Sequence, residues 1–282
     1  MADPNWGPEP GGPRPASLGR YSLGVVITAL AVLSQYFVPP LVPGSQVIYG
    51  NLPGALAVVY GIPLVSFALL VGRAPLRDWN RRMGLATWQG LRFYGLLMLL
   101  ALLIVFVLTI VYEILDPSAL QLLERTPPPL QQASGDPWFW VGFSFAVGAI
   151  EETIFRGFIF GYWRDRPGSW IGPAAWTSAV FAGVHLYYGI TYGPASPLVY
   201  PSLFLLGFAF AATYRFSGGN LVVPALLHGA HDALAFLEIV SRDLAVILSY
   251  LLILVGAVIG LVQYLRNDRT PLAPLGPPNG SG

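Results

Sequence analysis

Seven side chains of this sequence carry chemistry inside apolar surroundings. Glu151, Glu152 and Arg156 sit in FSFAVGAIEETIFRGFIF, His185 in WTSAVFAGVHLYY, and His228, His231 and Asp232 in LVVPALLHGAHDALAF. They include every histidine of the chain. An ionisable group inside an apolar span costs from roughly 2.5 kcal/mol upward, so such groups mark the place to look for function. Helical spacing separates their roles. Glu152 and Arg156 are four residues apart and share a face, which predicts an ion pair. Glu151 points about 100° away from that pair. A carboxylate left outside an ion pair is a candidate general base for activating water, or else a structural acid bonded to backbone or to a tyrosine. His228 and Asp232 are again four apart, so Asp232 can orient or charge-stabilise His228. His231 has no evident role beyond packing. Glu151, His185 and His228 could alternatively ligate zinc, with water in an open position. No H-E-x-x-H helix forces that choice, and the reading adopted commits to no metal.

The elements that must hold these groups are membrane spans. The chain has 282 residues, 55% hydrophobic and only 10% charged, with a mean hydropathy of +0.61. Soluble domains carry about 25% charged residues, so an ordinary water-soluble enzyme is excluded. A net charge of +1 argues against a nucleic-acid partner. The absence of cysteine excludes disulfides, thiolate metal sites and a cysteine nucleophile. A bilayer crossing needs about 20 apolar residues, and eight runs qualify: 21–39, 53–72, 93–115, 137–162, 171–188, 199–217, 220–238 and 244–265. The expected fold is therefore all-α, a polytopic membrane protein of about eight helices over 21–265 enclosing a buried polar site. Residues 1–20 and 266–282, rich in Gly and Pro, read as disordered tails, and the first span reads as an uncleaved anchor.

Arginine placement sets an expected orientation, since basic residues are retained on the cytoplasmic side. All fifteen basic residues are arginine. With eight spans, twelve of them fall on the side of the N-terminal tail, Arg125 and Arg242 fall opposite, and Arg156 lies within a span. Both termini are then cytoplasmic, in a multi-pass protein of a prokaryotic plasma membrane. Residues 73–92, mixing arginines with Trp79, Met83, Leu85 and Trp88, read either as an amphipathic surface helix or as a basic loop. Trp138, Trp140, Trp163, Tyr187 and Tyr188 read as interface aromatics. No internal repeat of the transporter kind is evident. At 1.5 Å per residue from the cytoplasmic ends, Glu151 lies roughly 17 Å deep, His185 roughly 21 Å, His228 roughly 12 Å and Asp232 roughly 18 Å. Groups on three spans thus reach similar levels and can share one pocket.

Glu151-Glu152-x-x-x-Arg156, Phe181-x-x-x-His185 and His228-x-x-x-Asp232, in this order and each in its own span, resemble the CPBP family (CAAX protease and bacteriocin-processing, or Abi-like). The resemblance covers about 137–240. It implies an eight-helix intramembrane endopeptidase with a cavity open to the cytoplasmic side, acting on a hydrophobic, lipid-anchored or prenylated C-terminal segment. By that resemblance Glu151 activates water, His185 holds it, Glu152 and Arg156 brace the site, and His228 stabilises the oxyanion with the residue at 232. The family pattern often has asparagine there. An amide can donate to an oxyanion and an ionised aspartate cannot, so Asp232 reads as support for His228. Zinc is sometimes associated with the family, but none is required by these residues. A non-catalytic scaffold or bacteriocin-immunity factor on the same fold is the competing expectation, and a proton-coupled transporter is a weaker one.

Overall fold

The computed structural model describes residues 16–49, 52–72, 74–80, 87–118, 137–164, 169–186, 189, 193–240 and 258. Among these residues the chain is helical and contains no strand. Seven longer helices follow one another: α1 (Leu18–Leu41), α2 (Leu52–Leu70), α3 (Thr87–Leu115), α4 (137–164), α5 (Ile171–Val184), α6 (Tyr200–Phe216) and α7 (Val222–Val240). They coincide with the first seven expected spans to within a few residues. The eighth expected span, 244–265, lies outside the described residues apart from Val258, and so do 1–15 and 266–282. The first helix starts at Leu18, earlier than expected, because the Ser17 hydroxyl caps it by accepting from the Arg20 N–H.

Three helices, α1, α2 and α3, are long and apolar enough to cross a membrane. Their outward faces carry large apolar side chains such as Leu30, Leu69, Leu103 and Phe106, the surface that lipid rather than water would cover. The inner helices differ in kind. On α4 every residue from Glu151 to Tyr162 is buried, and on α6 so is every residue from Ala209 to Tyr214.

Two helices depart from α geometry next to the polar groups. In α2 a π turn spans Ala57–Gly61, where the Ile62 N–H reaches the Ala57 carbonyl five residues back. It lies directly before Pro63, whose missing N–H leaves the Val59 carbonyl without its usual helical partner. In α4 a π stretch covers Thr153–Phe160, and the Gly161 N–H reaches the Arg156 carbonyl. Single-turn widenings of this kind are rare and concentrate at functional sites.

Helix crossings rest on small residues, as they do when lipid removes the hydrophobic drive between helices. The tightest joins α4 to α7. A Cβ on Gly148 would lie 2.6 Å from the Gly229 nitrogen, and one on Gly229 would lie 2.6 Å from the Phe145 Cα. Gly207 of α6 lies similarly against Ser178 and Phe181 of α5, and Gly90 of α3 against Thr213 of α6.

Among the described residues of the arginine-rich segment 73–92 there is no single surface helix. Residues Ala74–Asn80 make a 3-10 turn that docks inward, and 81–86 lie outside the described residues. Asp78 is fully buried and accepts from the Tyr214 hydroxyl at 2.5 Å. The Trp79 indole N–H donates to Thr153 Oγ1 at 3.0 Å. A buried acid with a partner, together with an indole bonded to α4, holds this segment against protein rather than lipid.

Candidate active site

Site chemistry begins at the junction in α4 where the α-helix gives way to the π stretch. Glu151 and Glu152 are adjacent there and are bonded to different groups. Glu152 is fully buried, and its Oε1 accepts from Arg156 Nη1 at 2.7 Å, the i,i+4 pair expected from spacing. The same oxygen lies 2.8 Å from His228 Nδ1 on α7. Arg156 is also fully buried. Its Nη2 donates to the Gly207 carbonyl at 2.8 Å, and its guanidinium carbon lies 4.9 Å from the Phe181 ring centre and 5.1 Å from that of Phe210. The His228 ring stacks on Phe210 with centroids 4.8 Å apart and meets Phe181 edge-on. Arginine and histidine thus share one aromatic cradle, with Glu152 between them.

Glu151 faces elsewhere. Its Oε1 accepts from the Tyr60 hydroxyl at 2.9 Å. Its Oε2 is buried and makes no hydrogen bond; His228 Nε2 lies 3.7 Å away. That same nitrogen is 3.5 Å from Asp232 Oδ2. Both distances are longer than a good N–H···O bond. His185 stands at the C-terminal end of α5, one residue past Val184, rather than inside a span extending to 188. Its Nδ1 is 2.7 Å from the Phe181 carbonyl. A carbonyl only accepts, so Nδ1 carries a proton in this contact.

These groups meet at a cavity of about 320 Å³. Glu151, His185, His228, His231 and Asp232 all contribute to its wall, as does Tyr60. Glu152 and Arg156 lie behind that wall. Five of the seven side chains singled out in the sequence, on α4, α5 and α7, therefore contribute to one wall, and the other two, Glu152 and Arg156, stand behind His228. His231, read as packing, is exposed and also borders the cavity. Of the aromatics read as interface residues, Trp138 is exposed, Trp140 lines the cavity, and Trp163 donates to the Tyr21 hydroxyl; Tyr187 and Tyr188 lie outside the described residues.

Two contacts were not legible beforehand. A tyrosine partner is the structural alternative for Glu151, but nothing in the spacing selects Tyr60, which lies on α2, far from the motif residues in sequence. The Glu152–His228 contact depends on a crossing between α4 and α7 that no i,i+4 rule reports. Asp232, expected as the partner of His228, lies 3.5 Å from its Nε2, farther than Glu152 at 2.8 Å from Nδ1. As for zinc, no group of three or more His, Cys, Asp or Glu side chains among the described residues is arranged to hold a metal ion.

No curated protein and no solved structure matches the chain. A family match does exist, and it spans the helices that bring the carboxylates and histidines together while leaving α1 to α3, and with them Tyr60, outside. Residues 133–234 match the family described as type II CAAX prenyl endopeptidase Rce1-like, and with its three apolar helices the chain is a membrane protein similar, over that segment, to the CAAX-protease or CPBP family.

Proposed function

We propose that the protein is a multi-pass intramembrane endopeptidase that hydrolyses a peptide bond in a hydrophobic or lipid-anchored substrate, using water activated by Glu151. One observation carries the reading. The Glu151 carboxylate is buried, yet its Oε2 has no bonding partner and borders a cavity where His228 Nε2 stands 3.7 Å away. A buried unpaired carboxylate oxygen is costly, and a water molecule held for attack satisfies it.

The steps follow from what each group can do. Tyr60 fixes the Glu151 carboxylate through Oε1, which leaves Oε2 to accept a proton from water. His185, with Nδ1 tied to the Phe181 carbonyl, offers Nε2 as the second acceptor that orients this water. The hydroxide adds to the scissile carbonyl carbon while its proton moves to Glu151. His228 in its doubly protonated form donates Nδ1–H to Glu152 and Nε2–H to the developing oxyanion. As the C–N bond breaks, Glu151 returns its proton to the leaving amine, and a carboxylic acid, still carrying the second proton of the water, and an amine result. Glu152 and Arg156 keep the His228 ring in place, and Asp232 supports it from the cavity side. The mechanism uses side chains alone, so a chelator leaves the rate unchanged.

The test uses the full chain in proteoliposomes with a library of fluorogenic apolar peptides, prenylated and unprenylated, alongside Glu151→Gln, with and without chelator. Turnover by the wild type and a loss of at least a thousandfold in the isosteric variant support the reading, as does indifference to chelator. Equal turnover by the variant overturns the role of Glu151. No turnover by folded wild-type protein on any peptide shifts the balance to a scaffold or immunity role.

A further inference from the structure

Asp78 and Trp79, neighbours in the chain, are bonded to different helices of the site. The Trp79 indole N–H donates to Thr153 Oγ1 of α4 at 3.0 Å. The Asp78 carbonyl accepts from the Leu221 N–H at 3.2 Å, at the residue that precedes α7. The Asp78 carboxylate accepts from the Tyr214 hydroxyl of α6, and the Trp79 ring packs against the buried cluster of Phe160, Tyr214 and Leu221. The 3-10 turn that carries both residues lies outside the family-matched segment 133–234 and contributes nothing to the cavity wall.

Thr153 is a sensitive place to hold α4. It is the first residue of the π stretch and follows Glu152 directly. Its hydroxyl donates to the Ala149 carbonyl one turn back, at 2.8 Å. A hydroxyl has a single proton to give, so with that proton on Ala149 it meets the indole as an acceptor, and an indole N–H can only donate. The two bonds form one directed chain in which each polarises the other. Between its ends on α4 lie Ile150, Glu151 and Glu152. A threonine bonded back to the i−4 carbonyl bends its helix, so this staple acts on the turn that carries both acids.

The crossing of α4 and α7 gains a second fixed point from the same turn. At Gly148 and Gly229 the two helices meet backbone to backbone, which sets how near they come; one close contact does not set the angle at which they cross. Asp78 holds the start of α7, seven residues before His228, and Trp79 holds α4 one residue after Glu152. Adjacent Cα atoms are fixed about 3.8 Å apart, so both helices are referred to one peptide unit. The bond that depends on both is His228 Nδ1 to Glu152 Oε1, at 2.8 Å.

We infer that Trp79, acting through the Thr153 hydroxyl, is a positioning residue that sets the Glu152–His228 contact, with Asp78 anchoring the same turn to the start of α7. Its bearing on catalysis rests on the endopeptidase reading; its effect on His228 does not.

Three variants separate hydrogen bonding from packing. Thr153→Val keeps the side-chain shape and removes the hydroxyl, Thr153→Ser keeps the hydroxyl and removes the methyl group, and Trp79→Phe keeps an aromatic ring and removes the N–H. Packing alone makes serine the worse replacement at 153, whereas the hydrogen-bond chain makes valine the worse. Full-length protein with isotope-labelled histidine ring nitrogens is measured by NMR in detergent micelles. The chain has three histidines, and the signal missing from His228→Gln is that of His228. Thr153→Val and Trp79→Phe are expected to move the His228 Nδ1 signal in the same direction, the double variant no further than Thr153→Val alone, while Thr153→Ser leaves it in place. In proteoliposomes, Thr153→Val and Trp79→Phe should lower kcat on the cleaved reporter about three- to tenfold with KM unchanged, and Thr153→Ser should keep the wild-type rate. A His228 signal unmoved by both Thr153→Val and Trp79→Phe, or moved as far by Thr153→Ser as by Thr153→Val, overturns the inference. An unchanged kcat in active protein whose His228 signal has moved overturns its bearing on catalysis. Should Trp79→Phe yield no monodisperse protein, the valine and serine variants decide alone. If the wild type cleaves nothing while the His228 signal follows the expected pattern, the positioning role stands and the endopeptidase reading falls.

Discussion

A single methyl group at Gly148 should disconnect the site without touching any of its polar residues. The crossing of α4 and α7 brings a Cβ built on Gly148 to 2.6 Å from the Gly229 backbone nitrogen and 3.1 Å from the Ala225 carbonyl. Ordinary contact begins near 3.4 Å, so Gly148→Ala requires the helices to separate by about 0.8 Å, the obstructing atoms being backbone. Glu151 and Glu152 lie on the next turn of α4, and His228 is the residue before Gly229. Transferred to the His228 Nδ1–Glu152 Oε1 contact of 2.8 Å, the displacement stretches it to about 3.6 Å, beyond a hydrogen bond. A hydrogen bond to a charged group is worth about 1.5–3 kcal/mol, which predicts a loss in kcat/KM of roughly 10- to 150-fold. Overpacking adds a destabilisation of about 1–3 kcal/mol, visible as a lowered melting temperature in detergent. The control is on the same helix. Gly142→Ala meets nothing within 4 Å and should leave both rate and melting temperature unchanged. The assay is cleavage of the library-selected reporter in proteoliposomes, with differential scanning fluorimetry in parallel. If Gly148→Ala keeps its rate within threefold of wild type and melts with Gly142→Ala, the close crossing does not position His228.

Three further outcomes follow from individual contacts. Tyr60→Phe removes the hydrogen bond to Glu151 Oε1 and should lower kcat about tenfold, the worth of roughly 1.4 kcal/mol, with KM and melting temperature little changed. Arg156→Ala leaves Glu152 buried without its cation and should cost about 3–5 kcal/mol, read as loss of monodisperse protein after detergent extraction, whereas Glu151→Gln extracts normally. Asp232→Asn replaces an acceptor at the cavity wall by a group that can donate to an oxyanion, while His228 stays held by Glu152. Steady-state kinetics should show activity retained or raised, and a hundredfold loss would mean that the Asp232 charge is required.

Apolar run length made seven helices legible because an apolar stretch of about 20 residues has one main structural use. The Glu152–Arg156 pair was equally readable, being local to one helix. What spacing could not supply was anything that depends on how helices cross. Glu152 was assigned to Arg156 alone, yet its Oε1 also contacts His228, and this depends on glycines at 148 and 229 that look unremarkable in sequence. Tyr60 was invisible for a related reason: its hydroxyl reaches Glu151 from a helix that none of the motifs touches. The docking of Asp78 and Trp79 was missed because a segment mixing arginine and tryptophan fits a lipid interface just as well. Only the buried partners Tyr214 and Thr153 distinguish the two.

On the proposed reading, water has to reach a point deep in the helix bundle without a continuous wet path across the bilayer. Two neighbouring carboxylates of α4 stand in different surroundings there. Glu151 gives one oxygen to Tyr60 and contributes to the cavity wall, while its other oxygen is buried and makes no hydrogen bond. Glu152, the next residue, is fully buried, with Arg156 and His228 both on its Oε1. Behind it the π stretch Thr153–Phe160 is buried at every position. The change of helical geometry begins directly after Glu152, so the cavity-lining acid and the ion-paired one are adjacent on a helix whose hydrogen bonding is re-registered at that point. The ion pair lies behind the cavity wall and braces His228 through Glu152. Breaking it should therefore impair the fold, whereas changing Glu151 alone should leave the fold intact.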